Sequence, residues 1–364
     1  MARLQFSGPF RYRVSGFFTL MRITLQTFFR HRMGRAIASD WDWLMETGIL
    51  FWRHQFTRAM NHPDMALTTG ASRRRNRGRE LFDAVLTLTD HEYDVAISHD
   101  EDGVWIMPDV TKTDTVLLYL HGGGYTFNGP VSERYASMLA HHTGARLYMP
   151  TYRLSPEHPH PAQAQDALAA WLYLRARFEA EQIMLIGDSA GGHMALMLLN
   201  ELFKKELGQP ALCIALCPWT DIGERGASLV ENDRYDLVQG WMALRFGQWL
   251  DPQESYGREA LSPIAKNYHG HAPIYMQAGG REVLRDMIID FAELQSVYGA
   301  DLLLDLWDDM PHNFQAYDGD KVSSTEALSR IAVAVQCHGK DGATLPVDAR
   351  RTKICSGCFS QPRS

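Results

Sequence analysis

Residues 183–198 read IMLIGDSAGGHMALML, an apolar β-type run that passes through a glycine-flanked serine into a segment of helical period. Gly187-Asp188-Ser189-Ala190-Gly191 is therefore a G-x-S-x-G placed between a strand and a helix, the context in which such a motif forms a nucleophile elbow. A serine on so tight a turn presents its hydroxyl above the sheet, and side chains two residues before or after it would collide with neighbouring backbone. A phosphate-binding loop is disfavoured, because no lysine follows to meet a phosphate.

Outward from this stretch, short apolar runs alternate with helical ones. The expected strands are 92–98, 104–110, 115–120, 146–152, 183–187, 211–217, 273–279 and 301–307. Several are apolar throughout, as strands covered on both faces must be. Between them, 132–144, 164–180, 191–207 and 283–300 carry apolar residues at three- and four-residue spacing, and 325–338 reads the same way. Right-handed crossovers place such helices on both faces of a mostly parallel sheet, so the expected class is α/β with eight strands.

Two regions break the alternation. Residues 1–80 read as a helical cap segment ending in the basic linker GASRRRNRGRE, and 219–262, rich in aromatic residues, read as a cap insertion. The core is then 81–218 and 263–338, with 339–364 expected to be a disordered tail. Trp41, Trp43, Phe51, Trp52, Trp219, Trp241 and Phe246 are candidates for an apolar pocket, with plain packing of the caps as the alternative.

The chain has 364 residues, net charge −7 and a 45% hydrophobic fraction. Nothing in that balance favours nucleic-acid binding. The charge is uneven, since residues 1–39 hold Arg3, Arg11, Arg13, Arg22, Arg30, Arg32 and Arg35 and no acid. An amphipathic helix packed on the protein is the preferred reading of that segment, with a transit peptide or membrane-surface contact as the alternative. The apolar run 17–29 is too short to span a bilayer and is interrupted by Arg22. Five cysteines without framework spacing suggest a reducing, cytoplasmic compartment. A zinc site joining Cys355 and Cys358 to Cys337 and His338 has only one C-x-x-C in its favour.

His121-Gly122-Gly123-Gly124 follows the strand 115–120. Glycines there let backbone N–H groups approach a developing oxyanion, together with the N–H of Ala190 after the serine. The serine needs a base, and a histidine should follow an acid in chain order. His312, in DDMPHNF after the last strand, is the only one of 15 histidines so placed.

These motifs, with YRLSPEHPHPAQAQDAL at 152–168, CPWTD at 217–221 and LSPI at 261–264, resemble the bacterial hormone-sensitive-lipase family of α/β-hydrolases over roughly residues 85–335. The resemblance implies Ser189 as nucleophile, His312 as base, and Gly123, Gly124 and Ala190 as oxyanion donors. His121, Gly122, Gly187, Asp188 and Gly191 are then motif support, and Tyr152, Glu157, Pro159, Asp166 and Asp221 hold loops. The usual family acid lies in G-x-x-D-x-L-x-D, whereas here Gly279-Gly280-Arg281-Glu282-Val283-Leu284-Arg285-Asp286 puts Glu282 at the first acidic place. Glutamate is admissible there. Asp286, one helical turn on, is the rival and more often structural, and Asp290 is farther still. The implied protein is a serine carboxylesterase of short- to medium-chain esters, without metal or other cofactor. A surface-associated lipase, an amide or lactone hydrolase, a non-catalytic binding protein and a homodimer remain open.

Overall fold

The computed structural model describes residues 4–6, 8–66, 76–87, 93–338 and 345–360. Strands β1 (Leu4–Phe6) and β2 (Val85–Thr87) form a small antiparallel pair. The main sheet holds β3 (Val95–His99), β4 (Gly103–Pro108), β5 (Val116–Leu120), β6 (Arg146–Pro150), β7 (Ile183–Asp188), β8 (Leu212–Leu216), β9 (Ile274–Gly279), β10 (Leu302–Trp307) and β11 (Thr352–Ser356). Its order is β11-β10-β9-β8-β7-β5-β6-β4-β3. From β6 to β10 the neighbours run parallel, while β3, β4 and β11 are antiparallel to theirs.

Every residue of β5, β7, β8 and β9 is buried, which explains why those runs are apolar without alternation. Alternate residues serve opposite faces. Leu118, Leu185, Ala215 and Met276 pack with α5 (Ala162–Arg175), α6 (Ala190–Lys204) and α10 (Arg285–Val297), whereas Leu117, Ile186, Ile214 and Leu303 meet α4 (Pro130–Thr143) and α11 (Val322–His338).

The sheet has nine strands rather than eight, and the ninth lies in the segment expected to be disordered. β11 pairs antiparallel with β10. Thr352 Oγ1 donates to Asp305 at 2.7 Å, the backbone N–H of Cys358 donates to Asp301 at 2.7 Å, and Phe359 is buried. The polar composition of this tail hid the fact that β10 is an apolar strand whose outer edge needs a partner. Residues 339–344 and 361–364 lie outside the described residues.

The cover over the sheet's carboxyl edge comes from two places. The N-terminal part contributes α1 (Phe10–Arg32), α2 (Trp43–Met60) and α3 (Arg77–Asp83), and the stretch 219–262 contributes α7 (Ser228–Glu231), α8 (Gly240–Leu250) and α9 (Arg258–Leu261). The basic linker reading fails at its end, because Asn76 caps α3 and Arg79 is held by Glu157 and by the carbonyls of Thr126 and Ser155. Residues 67–75 are outside the described set.

Candidate active site

Ser189 sits between β7 and α6 with φ 55° and ψ −120°. For a non-glycine residue this conformation costs about 1–3 kcal/mol and persists only where the surroundings enforce it. They do so by close packing. A Cβ on Gly187 would lie 2.3 Å from the Gly191 carbonyl oxygen, and one on Gly191 would lie 1.8 Å from that of Leu120. Among the described residues six non-glycines have positive φ, and four of them, Tyr125, Ser189, Cys217 and Asn313, lie on the loops after strands of the sheet, Asn313 directly after His312.

His312 stands on the loop after β10 and is buried, with its Nδ1 2.7 Å from the Glu282 carboxylate. The other Glu282 oxygen accepts the backbone N–H of Gly279 at 2.8 Å. The longer glutamate side chain is thus anchored at its own turn. Burial alone would lower the His312 pKa, yet the hydrogen bond and charge of Glu282, helped by Asp236 and Asp188, raise it above the ordinary value. Asp286 faces elsewhere: it accepts the Ser228 backbone N–H at 2.9 Å and pairs with Arg285. Asp290 pairs with Arg225.

The loop after β5 carries Gly123 and Gly124 at φ 97° and 62°. Among the described residues the N–H groups of Gly123, Gly124 and Ala190 donate to no protein acceptor. The loop is fixed from behind. Asp188 accepts from Tyr119 at 2.7 Å, from the Gly122 N–H at 2.9 Å and from Asn313 at 2.8 Å. Tyr152 donates to the His121 carbonyl at 2.8 Å and stacks on its ring. Burial pushes the His121 pKa down to about 4, so this histidine stays neutral. Asp166 holds Arg153, and Asp221 holds Arg225 and Arg258 at the start of the 219–262 cover.

Ser189, Ala190, Gly123, Gly124, His312 and Asn313 open on one cavity of about 40 Å³. Its apolar wall is Phe56, Trp219, Leu237, Val238, Ala243, Phe246 and Leu284. Of the aromatic candidates only Trp219 and Phe246 line it, and Phe56 on α2 is the one the sequence pattern did not single out. Larger clefts lie elsewhere, including one of about 600 Å³ beside the ion-paired Asp221, Arg225 and Arg258, and it contains neither Ser189 nor His312.

Asp236, in the 219–262 cover, belongs to no motif and was not anticipated. Fully buried, its carboxylate accepts from the N–H groups of His312 at 3.2 Å, Val283 at 2.7 Å and Leu237 at 2.7 Å. It thereby ties the cover to both the acid and the histidine loops. Burial raises its pKa to about 6, opposed by His312 and reinforced by Glu282.

Cys217, Glu282 and His312 form the one group of three metal-capable side chains that converge among the described residues. Their chemistry is that of a paired carboxylate and imidazole beside a neutral thiol, since burial, then the Glu282 charge, push the Cys217 pKa up. Cys337, His338, Cys355 and Cys358 do not converge on one point.

A family model described as alpha/beta hydrolase fold matches residues 117–316, more than half of the chain. An acetyl-hydrolase of Streptomyces hygroscopicus is 31% identical over 219 residues, covering 58% of this chain and 72% of that protein. The esterase LipI of Mycobacterium tuberculosis is 29% identical over 239 residues, covering 62% and 73%. Among solved structures, an esterase from the bacterial hormone-sensitive lipase family superposes with a TM-score of 0.68 at 27% identity, over 80% of this chain and 98% of that one. The chain belongs to the α/β-hydrolase fold family. Within that fold it is a member of the hormone-sensitive-lipase group of esterases.

Proposed function

We propose that the protein is a serine carboxylesterase acting on esters with short acyl groups, with Ser189, His312 and Glu282 as its triad. The observation that carries this reading is the buried 2.7 Å contact between His312 Nδ1 and Glu282 on the same cavity as Ser189. Glu282 holds the imidazole so that its other nitrogen is the free base. His312 takes the Ser189 proton as Oγ attacks the ester carbonyl, and the N–H groups of Gly123, Gly124 and Ala190 receive the oxyanion. His312 returns the proton to the leaving alcohol, and water attacks the acyl-enzyme by the same route in reverse.

The relatives support the substrate class, since those named above are an acetyl-hydrolase and an esterase. The cavity, at about 40 Å³ and walled by Phe56, Phe246 and Trp219, supports acyl groups of only a few carbons. A cytoplasmic setting fits the five unpaired cysteines. The reading is tested with p-nitrophenyl esters of graded acyl length. Turnover is expected to be fastest at acetate to butyrate and to vanish in Ser189→Ala. Unchanged turnover in that variant refutes the assignment.

A further inference from the structure

Helix α1 buries little of itself. Gly16, Ile23 and Thr27 are its buried residues, and they face α2. On the other side Phe10, Phe18, Met21, Leu25, Phe29 and Met33 are exposed, each between 45% and 78%. At 3.6 residues per turn, Phe10 to Phe29 of this set fall within an arc of roughly 100°, opposite the buried residues. The helix is therefore apolar on two faces. One is used by the fold, and the other forms a stripe along a helix roughly 34 Å long. That is far more apolar surface than isolated exposed side chains would give.

Exposed arginines lie in and around the stripe. Arg11, Arg13, Arg22, Arg32 and Arg35 are exposed, and none of them is in a salt bridge among the described residues. The chain as a whole is net −7, yet its first acid is Asp40. This distribution selects the occupant. Two copies meeting face to face through α1 would bring their arginines together with no carboxylate on the helix to meet them. An anionic lipid surface supplies both an apolar layer for the stripe and negative charge for its arginines. No helix among the described residues is long and apolar enough to cross a bilayer, so contact is with the surface.

Contacts through α2 link the stripe to the site. Glu46 on α2 is buried and holds His31 at 2.9 Å and Arg30 at 3.1 Å. On the same helix Arg53 donates to the Asp236 carbonyl at 2.8 Å, and Phe56 lines the cavity. We propose that the outward face of α1 docks flat on an anionic lipid surface, with α2 carrying that anchorage to the cover of the active site. This surface stands apart from the reaction proposed above, because its readout is partitioning and not turnover.

The test uses the purified full chain in vesicle flotation. Vesicles of pure phosphatidylcholine are compared with vesicles containing roughly one-third phosphatidylglycerol, at low and high salt. The chain is expected to float with the anionic vesicles, at least about tenfold more than with neutral ones, and to lose several-fold of that binding in high salt. Replacing Phe18, Leu25 and Phe29 together by serine should reduce partitioning about tenfold or more. Replacing Arg11, Arg22 and Arg32 by glutamine should erase the preference for anionic vesicles. Both variants should keep the wild-type circular dichroism and p-nitrophenyl acetate turnover, since none of these side chains lines the cavity. Equal flotation with both vesicle types, or undiminished flotation of the serine variant, overturns the proposal. So does a dimer in sedimentation velocity that disperses in the serine variant, for then a second copy covers the stripe.

Discussion

The turn at Gly187–Gly191 and the cover at 219–262 both deliver groups to one cavity, but by different physics. At the turn, backbone crowding decides everything: a methyl group on Gly191 would sit 1.8 Å from a carbonyl oxygen, so few sequences are admissible. In the cover, Leu237, Val238, Ala243 and Phe246 are apolar side chains filling space, and many sequences would serve. The geometry of the turn is thus written in a motif, and the wall of the cavity only in packing.

The largest effect is expected at the turn. Ser189→Ala should lower kcat for p-nitrophenyl acetate by about 10⁴-fold or more while leaving the thermal midpoint near that of the parent or above it, because the strained residue loses only its hydroxyl. A large fall in stability instead would mean that the hydroxyl serves the fold.

Gly124 joins the two regions. A Cβ there would lie 2.5 Å from the Phe246 ring, and the residue has φ 62°. Gly124→Ala should cost about 10²- to 10³-fold in kcat, the loss typical of one oxyanion donor. Adding Phe246→Ala should recover part of that loss if the ring is the obstacle, and none if the backbone conformation alone is responsible.

A smaller effect is expected at Asp236. With His312 as the proposed general base, which must be neutral to act, activity should rise with pH through its raised pKa, and the acid limb of kcat/KM should lie above the ordinary histidine value near 6.5. The Asp236 charge contributes to that raise. Asp236→Asn should therefore move the limb to lower pH, with a loss of about tenfold or less in kcat from a looser loop. An unmoved limb would reduce Asp236 to a purely structural tie.

The smallest effect belongs to the wall. Phe246→Ala alone should shift preference toward longer acyl chains by about threefold in relative kcat/KM, as removal of apolar bulk from a pocket does. An unchanged chain-length profile would place the acyl group elsewhere.

These differences also explain what the sequence made legible. All eight expected strands are in the sheet, and the four at its centre, β5, β7, β8 and β9, are continuous apolar runs because both their faces are buried. The site motifs were readable for the same reason that they are crowded. Glu282 was expected from its place after β9, and its carboxylate is the one 2.7 Å from His312 Nδ1, while Asp286 bonds Ser228 and Arg285. Three things were not readable. β11 is polar because it is a sheet edge. Phe56 reaches the cavity from α2, far away in sequence, and its helical spacing is that of any packed residue. Asp236 is an acid in a stretch without pattern, and only the folded chain brings its carboxylate to the backbone of residues 283 and 312.

The choice of acid is tested most directly by pH–rate profiles of Glu282→Gln and Asp286→Asn measured side by side on p-nitrophenyl acetate. Glu282→Gln should lower kcat by about 10²- to 10⁴-fold and drop the acid limb, since burial then depresses the His312 pKa unopposed by its main partner. Asp286→Asn should leave the limb in place and change kcat by no more than a few fold. The reverse pattern, a collapse in Asp286→Asn with Glu282→Gln near wild type, would contradict the account.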